Sequence, residues 1–272
     1  MNRRQSPLFW IVLVLIAIVA LFPYAWIVQT SFKARTDILT SPPVWVFKPS
    51  WFNYTNMLFE RGFETYLWNS IVIGLSSTLL ALFVGTLAAY AFSRYRIPAG
   101  NHLFFYILAT RLGPPVAYAL PMYFLFSRLG LLQSHLGVIV AHTAFNLVLV
   151  VWMMKTFFDE IPSEVEEAAR LDGCSEWLLF SKISLPLALP GLVTAAIFIF
   201  IFSWNELLFA MVLSAGTAST LPAMIPSLAM HTGTLWGEVA AAAVVQTVPV
   251  IVFTFIAQRH LISGLTFGAV KG

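Results

Sequence analysis

Glu166-Glu167-Ala168-Ala169-Arg170-Leu171-Asp172-Gly173, with Ile183-Ser184-Leu185-Pro186 after nine intervening residues, is the charged stretch around which the chain is organised. Seven of the twelve carboxylates lie between Asp159 and Glu176, while long apolar runs flank them on both sides. Ser163 followed three residues later by Glu166 predicts a capping box that opens a short helix after Pro162, and Gly173 predicts its C-terminal cap. A second short helix is expected from Ser175 to about Pro186. Helix, glycine turn and helix then lie against the membrane face as a water-exposed docking element.

The flanking runs set the class. Of 272 residues, 59% are hydrophobic and 10% charged, against about 25% charged in a soluble domain, and the mean hydropathy is +0.84. The chain reads as an integral membrane protein. Its net charge of +3 does not mark a nucleic-acid binder, because the fifteen Lys and Arg are scattered at the ends of apolar runs. Cys174 is the single cysteine, which excludes an internal disulfide and a Cys-based zinc cluster. It reads as a small residue of the charged loop.

Six membrane-spanning helices are expected in one domain covering 1–272: 8–29, 67–92, 101–126, 136–158, 187–213 and 237–257, with the charged loop at 159–186 between the fourth and fifth. The first run is long enough to cross a hydrocarbon core of roughly 30 Å. It exceeds a signal-peptide core and no small-residue cleavage site follows, so it reads as an uncleaved helix with Pro23 as a kink. The stretch 30–66, with Pro42, Pro43, Trp45, Pro49 and Trp51, reads as an external loop along the interface, where tryptophan favours the headgroup level. Asn53-Tyr54-Thr55 reads as a chance glycosylation sequon. In the second span Ser77, Ala81, Gly85 and Ala89 recur every four residues and form a small-residue seam for close packing.

Polar groups inside the other spans are the candidates for a solute path. Arg111, beside Gly113, Pro114 and Pro115, either reaches the headgroup region or faces the path. His142 and Asn146, one turn apart, either hydrogen-bond a neighbouring helix or line the path. Glu206 in Ser203-Trp204-Asn205-Glu206 costs ~2.5–3.5 kcal/mol at the bilayer centre on insertion scales and so must face protein or water. Trp204 and Asn205 beside it offer an aromatic face and hydrogen-bonding groups, and Gln246 adds a polar group in the sixth span. The outer loop 214–236 carries no Lys or Arg and no carboxylate.

Under this topology nine Lys and Arg fall inside (Arg3, Arg4, Arg94, Arg96, Lys155, Arg170, Lys182, Arg259 and Lys271), five outside (Lys33, Arg35, Lys48, Arg61 and Arg128), and Arg111 within a span. Both termini and the charged loop are therefore expected in the cytosol.

The set Glu167, Ala168, Ala169, Gly173, Ile183, Leu185 and Pro186 resembles the "EAA" loop of the permease subunits of binding-protein-dependent ABC importers. In that family the loop is the coupling helix, seated in a groove of the ATP-hydrolysing subunit. The resemblance implies that Glu166, Glu167, Ala168, Ala169, Arg170, Asp172, Gly173, Ile183, Leu185 and Pro186 serve ATPase coupling. The segments Pro190-Gly191-Leu192-Val193-Thr194-Ala195, Ser203-Trp204-Asn205-Glu206 and Gln258–Gly272 resemble carbohydrate permeases of the maltose-type group. That likeness implies import of a sugar, oligosaccharide or polyol by alternating access across a bacterial or archaeal cell membrane. The implied partners are a second permease subunit, two ATP-binding subunits and an extracytoplasmic sugar-binding protein, with membrane lipid around them. The implied sugar path would use Arg111, His142, Asn146, Trp204, Asn205, Glu206 and Gln246.

No Gly-x-x-x-x-Gly-Lys-Ser/Thr segment is present, so ATP and Mg are expected in the partner subunits, and this chain is expected to be no enzyme and to bind no cofactor, metal or nucleic acid. A membrane-embedded enzyme finds no His-Glu-x-x-His segment or paired intramembrane acids to rest on. A permease for a non-sugar solute, or an ion-coupled carrier working through Glu206, stands as the alternative.

Overall fold

In a computed structural model the described residues are 7–214, 216–230 and 233–267, with backbone alone at 230, 233 and 256–267. Arg3, Arg4, Lys271 and the end of the C-terminal run from residue 268 lie outside the described residues, as does the side chain of Arg259. The architecture is helical. Its longer elements are α1 (Pro7–Ser31), α2 (Phe63–Arg94), α3 (Gly100–Thr110), α4 (Pro115–Arg128), α5 (His135–Asp159), α6 (Ser163–Leu171), α7 (Glu176–Leu179), α8 (Leu189–Trp204), α9 (Leu208–Leu213) and α10 (Trp236–Phe267). Among the described residues the extended structure is one antiparallel pair of two-residue strands, β1 (Ala229–Met230) with β2 (Gly233–Thr234).

Among the described residues four helices are long and apolar enough to cross a membrane: Pro7–Ser31, Phe63–Arg94, His135–Asp159 and the stretch Trp236–Phe255. Two bent pairs raise the number to six if each is one span: α3 with α4, at 94°, and Glu176–Leu187 with α8, at 74°. The expected spans 101–126 and 187–213 are each interrupted, the first at the proline pair whose break the sequence predicts and the second between Trp204 and Leu208. In the first, Pro114 has no N–H to continue the ladder and forces the residue before it out of the helical region. The freed Thr110 carbonyl finds a partner in the Tyr118 hydroxyl at 2.8 Å, and the Arg111 side chain donates across to the Phe145 carbonyl of α5 at 2.6 Å. In the second, α8 stops at Trp204 and α9 is a separate short helix.

The chain divides into two compact units, residues 1–65 with 224–249 and residues 66–223 with 250–272. In the first unit α1 is apolar along its length and exposed over its spanning window, as a lipid-facing helix requires. Its C-terminal end is closed by Asn53, whose amide donates to the Ser31 carbonyl at 2.9 Å and to the Lys33 carbonyl at 2.8 Å. Asn53 is buried, so the sequon read there as chance has no accessible amide. Lys33 is held near the rings of Trp26 and Phe47, at 4.8 and 5.2 Å.

In the second unit the small-residue seam packs as its spacing predicts. Ser77, Ala81, Gly85 and Ala89 are all buried, and the place a side chain would take at Gly85 is filled by Val150 of α5, whose Cγ1 lies 2.6 Å from that point. Gly191 of α8 meets the ring of Phe157 of α5 in the same way. The core between these helices holds Tyr90, Val150, Met154, Phe158, Leu179, Phe180 and Ile199. A second cluster, with Ile73, Phe126, Val138, Phe209 and Leu213, packs around α4, α5 and α9.

Candidate functional site

Residues 159–186 form the candidate coupling element. α6 begins one residue earlier in its cap than predicted: Pro162 is the N-cap and Ser163 is already helical, with no side-chain capping bond. The capping box is absent because Glu166 has stronger partners. Its Oε2 accepts from Arg94 Nε at 2.8 Å and its Oε1 from the Ser184 hydroxyl at 2.6 Å, and it is 1% exposed. Arg94 also donates to the carbonyls of Phe158 and Ile161, at 2.7 and 3.1 Å. One charge-assisted cluster therefore joins the end of α2, the end of α5, α6 and the stretch after α7.

The other end of α6 follows its prediction. Gly173 has φ +89°, its N–H donates to the Arg170 carbonyl and the Cys174 N–H to the Ala169 carbonyl, both at 3.0 Å. That is a Schellman closure, for which the left-handed glycine is the low-cost residue. Ser175 then caps α7, its hydroxyl accepting from the Leu178 N–H at 3.4 Å. Arg170 crosses the turn to Glu176 at 2.8 Å, and Tyr95 donates to the same carboxylate at 3.2 Å. The bond from Arg170, with that from Tyr95 after it, holds the Glu176 carboxyl below its ordinary range, while burial and then Glu176 push the Tyr95 phenol up.

The face of α6 left outward is set by these anchors. Glu166 and Ala169 turn inward; Glu167, Ala168, Arg170 and Asp172 are exposed. With them stand two apolar side chains that charge patterning passes over, Val165 and Leu171, the latter 89% exposed. Leu171 lies four residues after Glu167 and three after Ala168, so the helical repeat alone places it on their face. Of the downstream positions, Ile183 and Leu185 are half-buried against the core and Pro186 is exposed.

Within the second unit the polar residues of the spans converge on one network. His142 Nδ1 lies 2.8 Å from the Ser203 hydroxyl and Nε2 3.0 Å from Glu206 Oε2. Ser203 meets Ser77 at 2.7 Å. Glu206 also accepts the Phe209 and Ala210 N–H groups, at 2.9 and 3.0 Å, closing the first turn of α9. The bonds form one chain, Ser77 to Ser203 to His142 to Glu206. Glu206 thus bridges α5 and the break after α8. Asn146 is buried on the same helix as His142.

Trp204 is 1% exposed and stacks on Phe200 at 5.6 Å, while Asn205 is exposed with its amide donating to the Ile201 carbonyl at 2.9 Å. Arg111 stands 4.2 Å from the ring of Phe145 and 5.6 Å from that of Phe202. It borders a cavity of about 590 Å³ lined also by Trp152, Phe157, Phe198 and Phe202. These aromatics were not separable in the sequence from lipid-facing ones, since neither hydropathy nor spacing marks the side of a helix that meets a cavity. Gln246 belongs to the first unit. Among the described residues no group of three His, Cys, Asp or Glu is placed to hold a metal ion.

The family described as "Binding-protein-dependent transport system inner membrane component" matches residues 81–266. Over 97% of this chain and 94% of the relative, the sequence is 39% identical to the probable ABC transporter permease protein y4oR of Sinorhizobium fredii. Over the full length of both, it is 38% identical to the trehalose transport system permease protein SugB of Mycobacterium tuberculosis. Among solved structures, a chain of a bacterial ABC transporter involved in the import of the acidic polysaccharide alginate superposes with a TM-score of 0.77, at 26% identity, over 96% of this chain and 99% of that one.

Proposed function

Since the chain belongs to the family of inner membrane components of binding-protein-dependent transport systems, we propose that it is a permease subunit of an ATP-driven importer for a sugar, oligosaccharide or polyol. It is a multi-pass membrane protein. Its partners are a second permease subunit, two ATP-binding subunits and an extracytoplasmic binding protein that delivers the solute. ATP and Mg belong to the ATP-binding subunits, and both termini of this chain face the cytosol.

The observation that carries the coupling role is the division of α6 into an anchored and a presented face. Glu166 is bonded to Arg94 and Ser184, and Glu167, Ala168 and Leu171 stand outward. A small apolar knob ringed by charge fits a groove on a partner surface, with Ala168 permitting close approach. Because Arg94 ends α2 and also holds the end of α5, movement of α6 with a closing ATP-binding subunit is transmitted to both spans. Gly173, Ile183, Leu185 and Pro186 set the turn and the return path of that element.

The carbohydrate reading rests on the trehalose relative and the alginate importer, both of which handle carbohydrate by name. The uncharged outer loop agrees with a neutral solute. Arg111, Asn205 and Glu206 are the side chains proposed to meet it, with His142, Asn146 and Trp204 supporting them from inside the protein. The ion-coupled alternative is disfavoured by Glu206 itself, whose oxygens are taken by His142 and two backbone N–H groups. Uptake by membrane vesicles separates the readings: the importer requires internal ATP and binding protein and ignores proton and sodium ionophores, whereas collapse of uptake with the ion gradient contradicts it.

A further inference from the structure

We infer that the cytosolic end of the second unit binds a phosphate-bearing anion at a cavity beside α3, and that its occupant is the headgroup of an anionic phospholipid. The cavity, about 390 Å³, lies where α2 gives way to α3 and is bordered by Arg96, His102 and Lys155. No carboxylate lines it. Lys155 is engaged by Asp159 at 2.6 Å, and that same carboxylate accepts from Ser93 at 2.6 Å. Arg96 and His102 are both exposed and have no hydrogen-bond or ion-pair partner among the described residues. The cavity therefore offers positive charge and unused donors, which the described protein does not neutralise.

Its other wall is apolar. Phe92 and Phe104 line it with rings 5.6 Å apart, and beyond them Leu103, Phe105 and Tyr106 of α3 are 45%, 70% and 69% exposed. A free phosphate uses the cations alone. A lipid uses both walls, the phosphate on Arg96 and His102 and the acyl chains along α3, and basic pockets at the cytosolic ends of membrane helices favour anionic headgroups at about 1 kcal/mol for each Lys or Arg. The site rests on the multi-pass placement and the cytosolic orientation proposed above and not on the identity of the solute, so it is read without any transport assay.

The test is native mass spectrometry of the complex purified through a tag on this chain, after exchange into nanodiscs of phosphatidylcholine with phosphatidylglycerol. Phosphatidylglycerol retained by the wild type is expected to be held about fivefold less well by Arg96→Gln, the value of one cation near the surface, and less still by Arg96→Glu. Arg128→Gln, an exposed cation of another helix end, is expected to leave retention unchanged. Retention that survives excess inorganic phosphate assigns the site to the lipid headgroup; displacement by inorganic phosphate alone supports the phosphate site with the free anion as its source. Equal retention by wild type, Arg96→Gln and Arg96→Glu overturns the proposal.

Discussion

Glu166 and Glu167 are neighbours with opposite tasks. Glu166 is buried on Arg94 and Ser184, and Glu167 is exposed. Removing one partner of a buried, hydrogen-bonded ion pair costs ~3–5 kcal/mol, so Glu166→Ala is expected to lower the thermal stability of the solubilised complex markedly. Glu167→Lys is expected to leave stability unchanged and to depress ATP-driven uptake; thermal unfolding and uptake measured on both variants check the contrast. A second residue-scale expectation concerns acid. The Glu176 carboxyl is lowered in the folded chain by Arg170 and then Tyr95, so the pair's small contribution is present above the ordinary carboxylate range and is lost as pH falls through the lowered value. Glu176→Gln and the wild type should therefore differ in unfolding temperature at neutral pH and converge in acid. The sequence made the charge density of this loop plain, but which carboxylate faces inward depends on Arg94, 72 positions away from Glu166 in the chain, and no local pattern carries that pairing.

At the scale of elements, the turn after α6 and the seam of α2 are the parts the sequence made legible, because each rests on a local steric rule. Gly173 at φ +89° donates its N–H to Arg170. Gly173→Pro removes that donor and demands a φ near −65°, so it is expected to disorder the α6–α7 turn and uncouple ATP hydrolysis from uptake while membrane insertion persists. Parallel assays of ATPase rate and uptake check this. Gly85→Leu forces a side chain into the space of Val150; overpacking of this kind costs ~1–3 kcal/mol, and Val150→Ala in the same chain is expected to restore part of the lost thermal stability. The bends were less legible. Pro114 and Pro115 announce a break but not its 94° angle, and the bond from Arg111 to the Phe145 carbonyl of α5 is a tertiary contact that no local pattern carries. The capping box at Ser163 failed for the same reason, a distant arginine outcompeting a local backbone N–H.

For the whole molecule, composition and the scatter of Lys and Arg were enough to read a multi-pass membrane protein, since crossing a bilayer imposes length and polarity rules that any sequence must meet. The polar network and the aromatic cavity of the second unit were not readable in that way. His142, Ser203 and Glu206 form one network across helices far apart in the chain, and the aromatic wall beside Arg111 has the same hydropathy as a lipid-facing wall. The central claim is that this chain is the membrane half of an ATP-driven sugar importer. It is tested most directly by the ATPase activity of the complex that purifies through a tag on this chain from its native host in mild detergent, with and without its binding protein charged from a sugar panel. The account predicts a co-purifying second permease and ATPase, with hydrolysis that rises when one sugar-loaded binding protein is added. Purification of the chain alone under several detergents, with no hydrolysis in any of them, would contradict it.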